Sequence, residues 1–415
     1  MSNNLLRPFA GLRPSPEFAQ EVIAPPYDVV TTEEARKLAK NKPWSFLHIS
    51  KPEIDLPSGV DPHVDEVYKK GAENMARMLK KGIICQDDTP SYYIYRIETK
   101  LHCQTGVVGA GSVEAYEKNL IRRHELTRFD KETDRVKQIK AVNAQTGPVF
   151  TTHEYDFQLS NLIDGISANE PAYSVTNAVG DIHTLWVVNK EQVINRITEC
   201  FQKIGVIYIA DGHHRSAAAS RVASERKKSN IEHTGLEAYN TFLIVSFPDT
   251  EVQIRDYNRV VKGLNGLSPS KFLNQIKKSF EIFTTYKPAQ PVERKSFGMY
   301  LEGQWYSLKF REQVGTPESI IDNLDVNILM HYLLSPILGI GDARTDPRID
   351  FVGGSRGMAE LQSCVDTGNW SVAFSLFPIS MKELKQIADD NQTMPPKTTW
   401  FEPKLADGLV SLILD

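Results

Sequence analysis

The chain has only four cysteines in 415 residues, Cys85, Cys103, Cys200 and Cys364, and no two lie closer than 18 positions. That spacing excludes a CxxC zinc clip, a thioredoxin-type redox pair and a disulfide scaffold. Free thiols in a reducing compartment are the expectation. Long apolar runs are missing too. The most hydrophobic stretch, Ile328 to Ile340, is interrupted by His331 and Pro336 and is too short to cross a bilayer. The opening MSNNLLRPFAGLRP meets Arg7 and two prolines before an apolar segment can build, so it reads as neither a secretory signal nor a transit peptide. A cytoplasmic protein without a membrane partner is expected. Nor is there an excess of one charge: 48 Lys and Arg stand against 52 Asp and Glu, a net of −4 and a pI near 6.2. A nucleic-acid partner, which calls for a basic face, is therefore unexpected. No Walker A, GxGxxG, HExxH or GxSxG motif occurs.

What is present is globular: 41% hydrophobic and 24% charged residues, in a chain long enough for two or three domains. TTEEARKLAKN, opening at Thr31 and Thr32, and VDEVYKKGAENMARMLKKG, ending at Gly82, have helical spacing and stop signals. SYYIYRIET and QTGVVGAGSVEAY are rich in β-branched and aromatic residues and predict strands. After a polar, charged segment from Lys118 to Lys140, DIHTLWVV predicts a strand, EQVINRITECFQ a helix, IGVIYIA and YNTFLIVSF further strands. Beyond Ser268 come a helix near SPSKFLNQIKKSF, strands near FGMYLEG and WYSLKF, and an apolar tail, GLVSLILD. The fold class is α/β to α+β. Three blocks are expected: 1–90, 91–265, and a C-terminal α+β domain over 266–415.

The sharpest local feature is Ile207-Tyr208-Ile209-Ala210-Asp211-Gly212-His213-His214-Arg215-Ser216. An apolar strand ends at Asp211-Gly212 and an alanine-rich helix starts at once. Gly212 lets the backbone approach a ligand, and the first helical N–H groups face outward. Such a start attracts anions, and His213, His214 and Arg215 add donors and charge. A phosphate is the natural occupant. The plainer alternative has Asp211 capping the helix and the histidines on its surface.

Two further segments carry chemistry. In Ile23-Ala24-Pro25-Pro26-Tyr27-Asp28-Val29, the prolines stiffen the chain before Tyr27 and Asp28. A rigidly placed carboxylate suits a general base or a magnesium ligand, though Asp28 as a helix cap explains it equally. Arg122-Arg123-His124-Glu125-Leu126-Thr127-Arg128 opens a stretch, 121–140, with seven Lys or Arg against four Asp or Glu. Arginine forks bind phosphate in pairs, and Glu125 between them could act as a base. Helical salt-bridge lacing on a solvated face is the competing account. Weaker signals are the NAQTGP turn, the acids and glycines from Asp342 to Gly354, and Lys397 in a proline-stiffened loop that could close over an anion.

At RPFAGLRP, APPYDV, RRHELTR, NAQTGPVF, ADGHHRSAAA, DPRIDFVGG and MPPKTTWFEPKLADGLV the chain resembles the bacterial and archaeal family called domain of unknown function 1015, over nearly its whole length. The pairing of PPYDV with DGHHR is in turn similar to the ParB/sulfiredoxin superfamily, whose free-serine kinases carry a similar Asp-Gly-His-His-Arg signature. This second resemblance implies a mixed-sheet core of that type with a large insertion, and a phosphate and metal group made of Asp211, His213, His214 and Arg215. The family's association with enzymes of the phosphorylated serine pathway implies serine or O-phosphoserine as substrate.

The reading that follows is phosphoryl transfer on a small phosphorylated metabolite, as a phosphoserine phosphatase or a free-serine kinase. His213 or His214 would handle the leaving oxygen, and Asp28 or Glu125 would activate the acceptor. Asp211, Gly212, Arg215, Arg122, Arg123, His124, Arg128, Tyr27 and Lys397 would hold substrate and phosphate. Magnesium on Asp211, and ADP or ATP for a kinase, are the cofactors this implies, and a homo-oligomer stays open. The alternative is a ParB-like nucleotide-binding regulator without metabolic turnover.

Overall fold

A computed structural model describes residues 4–315 and 319–415. The chain forms two compact units, one made of Met1–Arg123, Thr127–Val252 and Pro403–Asp415, the other of His124–Leu126 and Gln253–Glu402.

The first unit is built on a nine-stranded mixed sheet. In chain order its strands are β1 (Leu6–Arg7), β2 (Tyr92–Glu98), β3 (Cys103–Ser112), β4 (Ile121–Arg122), β5 (Val149–His153), β6 (Tyr173–Thr176), β7 (Ile182–Val188), β8 (Ile207–Asp211) and β9 (Thr241–Pro248). Across the sheet they run β4-β8-β5-β9-β3-β2-β7-β6, with β1 added on β3. The β4–β8 and β5–β9 pairs are parallel; the other pairings are antiparallel. Every residue of β9 is buried, which explains its unbroken apolar sequence: a strand covered on both faces does not alternate. The principal helices are α1 (Asp65–Lys80), α2 (Phe129–Val142), α3 (Phe157–Ser167), α4 (Glu191–Ile204) and α5 (His213–Ser229). Among the described residues no helix is long and apolar enough to cross a membrane.

The second unit carries a six-stranded antiparallel sheet of β10 (Tyr257–Val261), β11 (Phe280–Thr285), β12 (Ser296–Leu301), β13 (Gln304–Phe310), β14 (Ile349–Gly353) and β15 (Val372–Leu376), ordered β11-β13-β12-β15-β10-β14. Its core includes Phe272, Phe280, Phe297, Leu308 and Phe374, each fully buried. Together the units are a mixed α/β architecture with one large mixed sheet.

Several expectations change in detail. The strand expected through QTGVVGAGSVEAY ends at Ser112, whose side chain accepts the Ala115 N–H and starts a short helix, Val113–Glu117. That cap outweighs the β-propensity of Val113 and Tyr116. The charged segment Lys118–Lys140 holds most of α2. The tail GLVSLILD forms a strand only at Leu412–Ile413, paired with Ala144–Gln145 out of the expected NAQTGP turn.

Candidate functional site

The strand-to-helix junction at Asp211-Gly212 anchors the site. Along β8 the pairing with β5 slips between Ile209 and Asp211, a bulge that re-aims the strand's last side chain. Gly212 follows with φ 102°, and α5 starts at His213. A Cβ at Gly212 would lie 2.9 Å from Nε of Arg215, so both the left-handed backbone and the lack of room demand glycine. The first helical hydrogen bond runs from the Ser216 N–H to the Gly212 carbonyl. The N–H groups of His213, His214 and Arg215 precede it, and these are the donors a helix start presents to an anion.

Arg215 turns back from the helix into the interior and is 7% exposed. Its Nη2 stands 3.7 Å from Oδ2 of Asp211, to which Lys404 Nζ donates at 3.2 Å. Its Nε has no hydrogen-bond partner among the described residues. Burial alone would weaken its charge, but Asp28, Asp211, Tyr27 and Asp407 together raise its pKa above the ordinary arginine value. Burial likewise opposes ionisation of Asp211, yet Lys404 and Arg215 hold that carboxyl far below the usual carboxylate range.

The PPYDV turn supplies the opposite wall. Arg135, on α2, lies 3.9 Å above the Tyr27 ring, and its Nη2 donates to Asp134 at 2.6 Å. Asp134 also accepts from the Tyr68 hydroxyl at 2.7 Å. Burial pushes the Tyr27 hydroxyl up to about 12, so the phenol stays protonated. Asp28 is exposed and faces both Arg215 and Arg135 electrostatically.

The two histidines have different situations. His213 is buried, and burial brings its imidazole down to about 4 despite the pull of Asp211. It is neutral at physiological pH. His214 is half-buried, and its Nε2 accepts the Arg128 N–H at 3.1 Å. In the neutral ring the proton therefore sits on Nδ1.

Of the residues singled out in the sequence, Asp211, Gly212, His213, His214, Arg215, Tyr27 and Asp28 come together in the first unit. Arg123 joins them electrostatically at His213, with its guanidinium 5.7 Å from the Tyr116 ring. Arg122 turns to the Tyr208 ring and the Asn119 carbonyl. Arg128 is exposed and forks onto Asp130, so only its backbone touches the group. His124, Glu125 and Lys397 belong to the second unit. There the His124 carbonyl accepts the Met394 N–H and Glu125 forms a bridge with Met394. Lys397 Nζ lies 5.5 Å from the Tyr257 ring centroid, and the Lys397 carbonyl accepts from Arg259.

Three contributors were not identified as site residues from the sequence: Arg135, Lys404 and Asp407. Lys404 and Asp407 sit in the MPPKTTWFEPKLADGLV segment, which carries the family resemblance but no recognisable chemical motif. Asp407 is 1% exposed. Its backbone pairs with Ala24 in both directions, beside PPYDV.

Residues 6–327 match the model of the family described as "Protein of unknown function (DUF1015)", and the chain belongs to that family. No curated protein matches it. Among solved structures it is similar to a free serine kinase in complex with AMP, at 12% identity and a TM-score of 0.35, over 73% of this chain and 92% of that one. SbnI with a C-terminal truncation, from Staphylococcus aureus, is similar at 11% identity and a TM-score of 0.38, over 72% and 85%. A conserved hypothetical protein from Pyrococcus furiosus gives 12% and 0.35, over 73% and 95%.

Proposed function

We propose that the first unit binds a small phosphomonoester at the Gly212 helix start and transfers its phosphoryl group. The observation that carries this reading is Arg215: a buried guanidinium, wrapped round Gly212, with Nε unpartnered. Leaving such a donor unsatisfied is costly, and a bound anion accepting from it removes the cost. The helix-start N–H groups would hold the equatorial oxygens, where charge develops during transfer. Lys404 and Arg135 balance the surrounding acids and keep the guanidinium aimed inward.

The residues do not favour magnesium on Asp211. Its Oδ2 already faces Lys404 at 3.2 Å and Arg215 at 3.7 Å, and a divalent ion would be a third positive charge there. No step here runs through a metal. ADP or ATP, if a kinase, would engage the same donors through its phosphates.

His213, neutral, fits a hydrogen-bonding role in this scheme. His214 has Nε2 engaged by the Arg128 N–H. O-phosphoserine and serine, the pair implied by the family resemblance, are the first substrates to test. The experiment is phosphate release from O-phosphoserine with and without magnesium, repeated with ADP and with ATP plus serine. Release without nucleotide makes the protein a phosphatase; nucleotide-dependent turnover makes it a kinase. Full activity in both Arg215→Ala and His214→Ala overturns the site. No turnover, but a nucleotide-dependent melting shift, favours a nucleotide-binding regulator instead.

A further inference from the structure

A buried carboxyl of the site, Asp407, faces the charge of Arg215 and the backbone N–H of Tyr27. Neither oxygen of Asp407 makes a hydrogen bond of ordinary geometry among the described residues, and the residue is 1% exposed. A Cβ at Gly147 would lie 3.4 Å from Nη1 of Arg215 and 3.6 Å from Oδ1 of Asp407. Gly147, Arg215 and Asp407 thus border one small space, to which Arg215 brings Nη1 and Asp407 brings Oδ1. The Asp407 main chain cannot swing away, because its N–H and C=O are both bonded to Ala24. A buried carboxyl and a buried guanidinium bordering one space beside a glycine suit the binding of a polar ligand.

Resting on the phosphoryl-transfer reading above, we infer that Asp407 is the proton-transfer carboxyl of the site, exchanging a proton with the alcohol oxygen of the phosphomonoester. The protonated carboxyl gives its proton to that oxygen as the ester P–O bond breaks and leaves its electron pair on the alcohol. With water as acceptor, the new P–O bond forms, one water proton restores the carboxyl, and the other stays on the phosphate. With ATP as donor, the carboxylate takes the alcohol proton as the new P–O bond forms, while the bond from the γ-phosphorus to the bridging oxygen breaks and ADP leaves with its electron pair. Burial holds the carboxyl up to about 7 while Arg215 pulls it down, which places both protonation states within reach at neutral pH. The histidines are less suited: His213 is neutral and buried, and His214 has its Nε2 committed to the Arg128 N–H.

The test uses the full chain and Asp407→Asn, which keeps shape and removes the titration. On O-phosphoserine, kcat is expected to fall by about 100-fold or more, with KM changed little and the neutral-pH limb of the rate profile lost. A second measurement is independent of turnover: binding of inorganic phosphate in two buffers of different ionisation enthalpy, near pH 8. Wild type is expected to take up a proton on binding, and Asp407→Asn to bind without uptake. Unchanged kcat with an unchanged limb, or equal proton uptake in both proteins, overturns the Asp407 assignment and leaves the Arg215 site standing. Phosphate binding to neither protein, with no turnover, overturns both.

Discussion

The guanidinium of Arg135 lies 3.9 Å from the centroid of the Tyr27 ring while donating to Asp134 from both Nε and Nη2. One side chain thereby fastens the PPYDV turn to α2, and α2 in turn to Tyr68 through Asp134. The planar group is what both contacts need, since it can stack and donate at once.

Arg135→Lys keeps the charge and loses the stacking, and it should cost about 1–2 kcal/mol. Arg135→Ala should cost more, about 3 kcal/mol, because it also strips the half-buried Asp134 carboxylate of its cation. Urea melts of both proteins check this. A lysine variant as stable as wild type would remove the stacking argument.

Gly212→Ala combines a φ of 102° with a Cβ 2.9 Å from Arg215 Nε. Backbone strain alone is worth roughly 1–3 kcal/mol, and the guanidinium must move as well. The melting temperature should drop, and the melting shift produced by inorganic phosphate should vanish. A variant that is destabilised yet still stabilised by phosphate would show that the helix start does not hold the anion.

The site was legible where its chemistry is local. Asp211 to Arg215 are consecutive, and an apolar strand running into Gly-His-His-Arg announces both the turn and the helix start. Tyr27 could be flagged because prolines stiffen the chain before it. Lys404 reaches Asp211 across 193 positions, and no periodicity carries information over that distance. Asp407 was hidden for a related reason: a lone Asp before Gly408 reads as a turn, and only burial against Arg215 gives it a different character. The arginine run misled in part, since adjacent charges in sequence diverge in space. Arg123 faces His213, whereas Arg128 is exposed and tied to Asp130. The sheet was clearest in its fully buried strands, and least clear where the Ser112 cap turned an apparent strand into a helix.

Arg215→Lys should bind phosphate roughly 10- to 100-fold more weakly than wild type, the loss of one or two charge-assisted hydrogen bonds. Calorimetric titration with inorganic phosphate measures it. Lysine keeps the charge but cannot wrap Gly212 with a planar fork, so equal affinity would mean that charge alone, not the guanidinium, makes the site.

Two buried histidines should limit stability in acid. Burial pushes His153 and His183 down to about 4 from an ordinary 6.5. Between those values the unfolded chain binds more protons than the folded one, so stability is full above about 6.5 and falls as the pH drops toward 4. Each is worth on the order of 3 kcal/mol at the acid limit. His153 Nδ1 sits 2.8 Å from Ser246 Oγ, a contact that an amide can keep. His153→Gln should therefore be less stable than wild type at pH 8 and close that gap by pH 4.5. A gap that stays constant across this range would mean the imidazole is not held neutral.

Asp407 should leave a stability signature of the opposite sign. Its carboxyl is raised from an ordinary 3.8 to about 7, so between those values the folded state holds the proton that the unfolded state has lost. The stabilisation this gives is complete below about 4 and is lost as the pH rises through 7. Asparagine cannot ionise. The stability of Asp407→Asn relative to wild type should therefore climb between pH 4 and 7 and level off above 8, by up to about 4 kcal/mol. Urea melts at four or five pH values resolve the climb, and the histidines cancel because both proteins carry them. A flat difference would mean that Asp407 is already ionised against Arg215 throughout. The carboxyl would then have no proton to give at neutral pH, and it would serve only to hold the guanidinium in place.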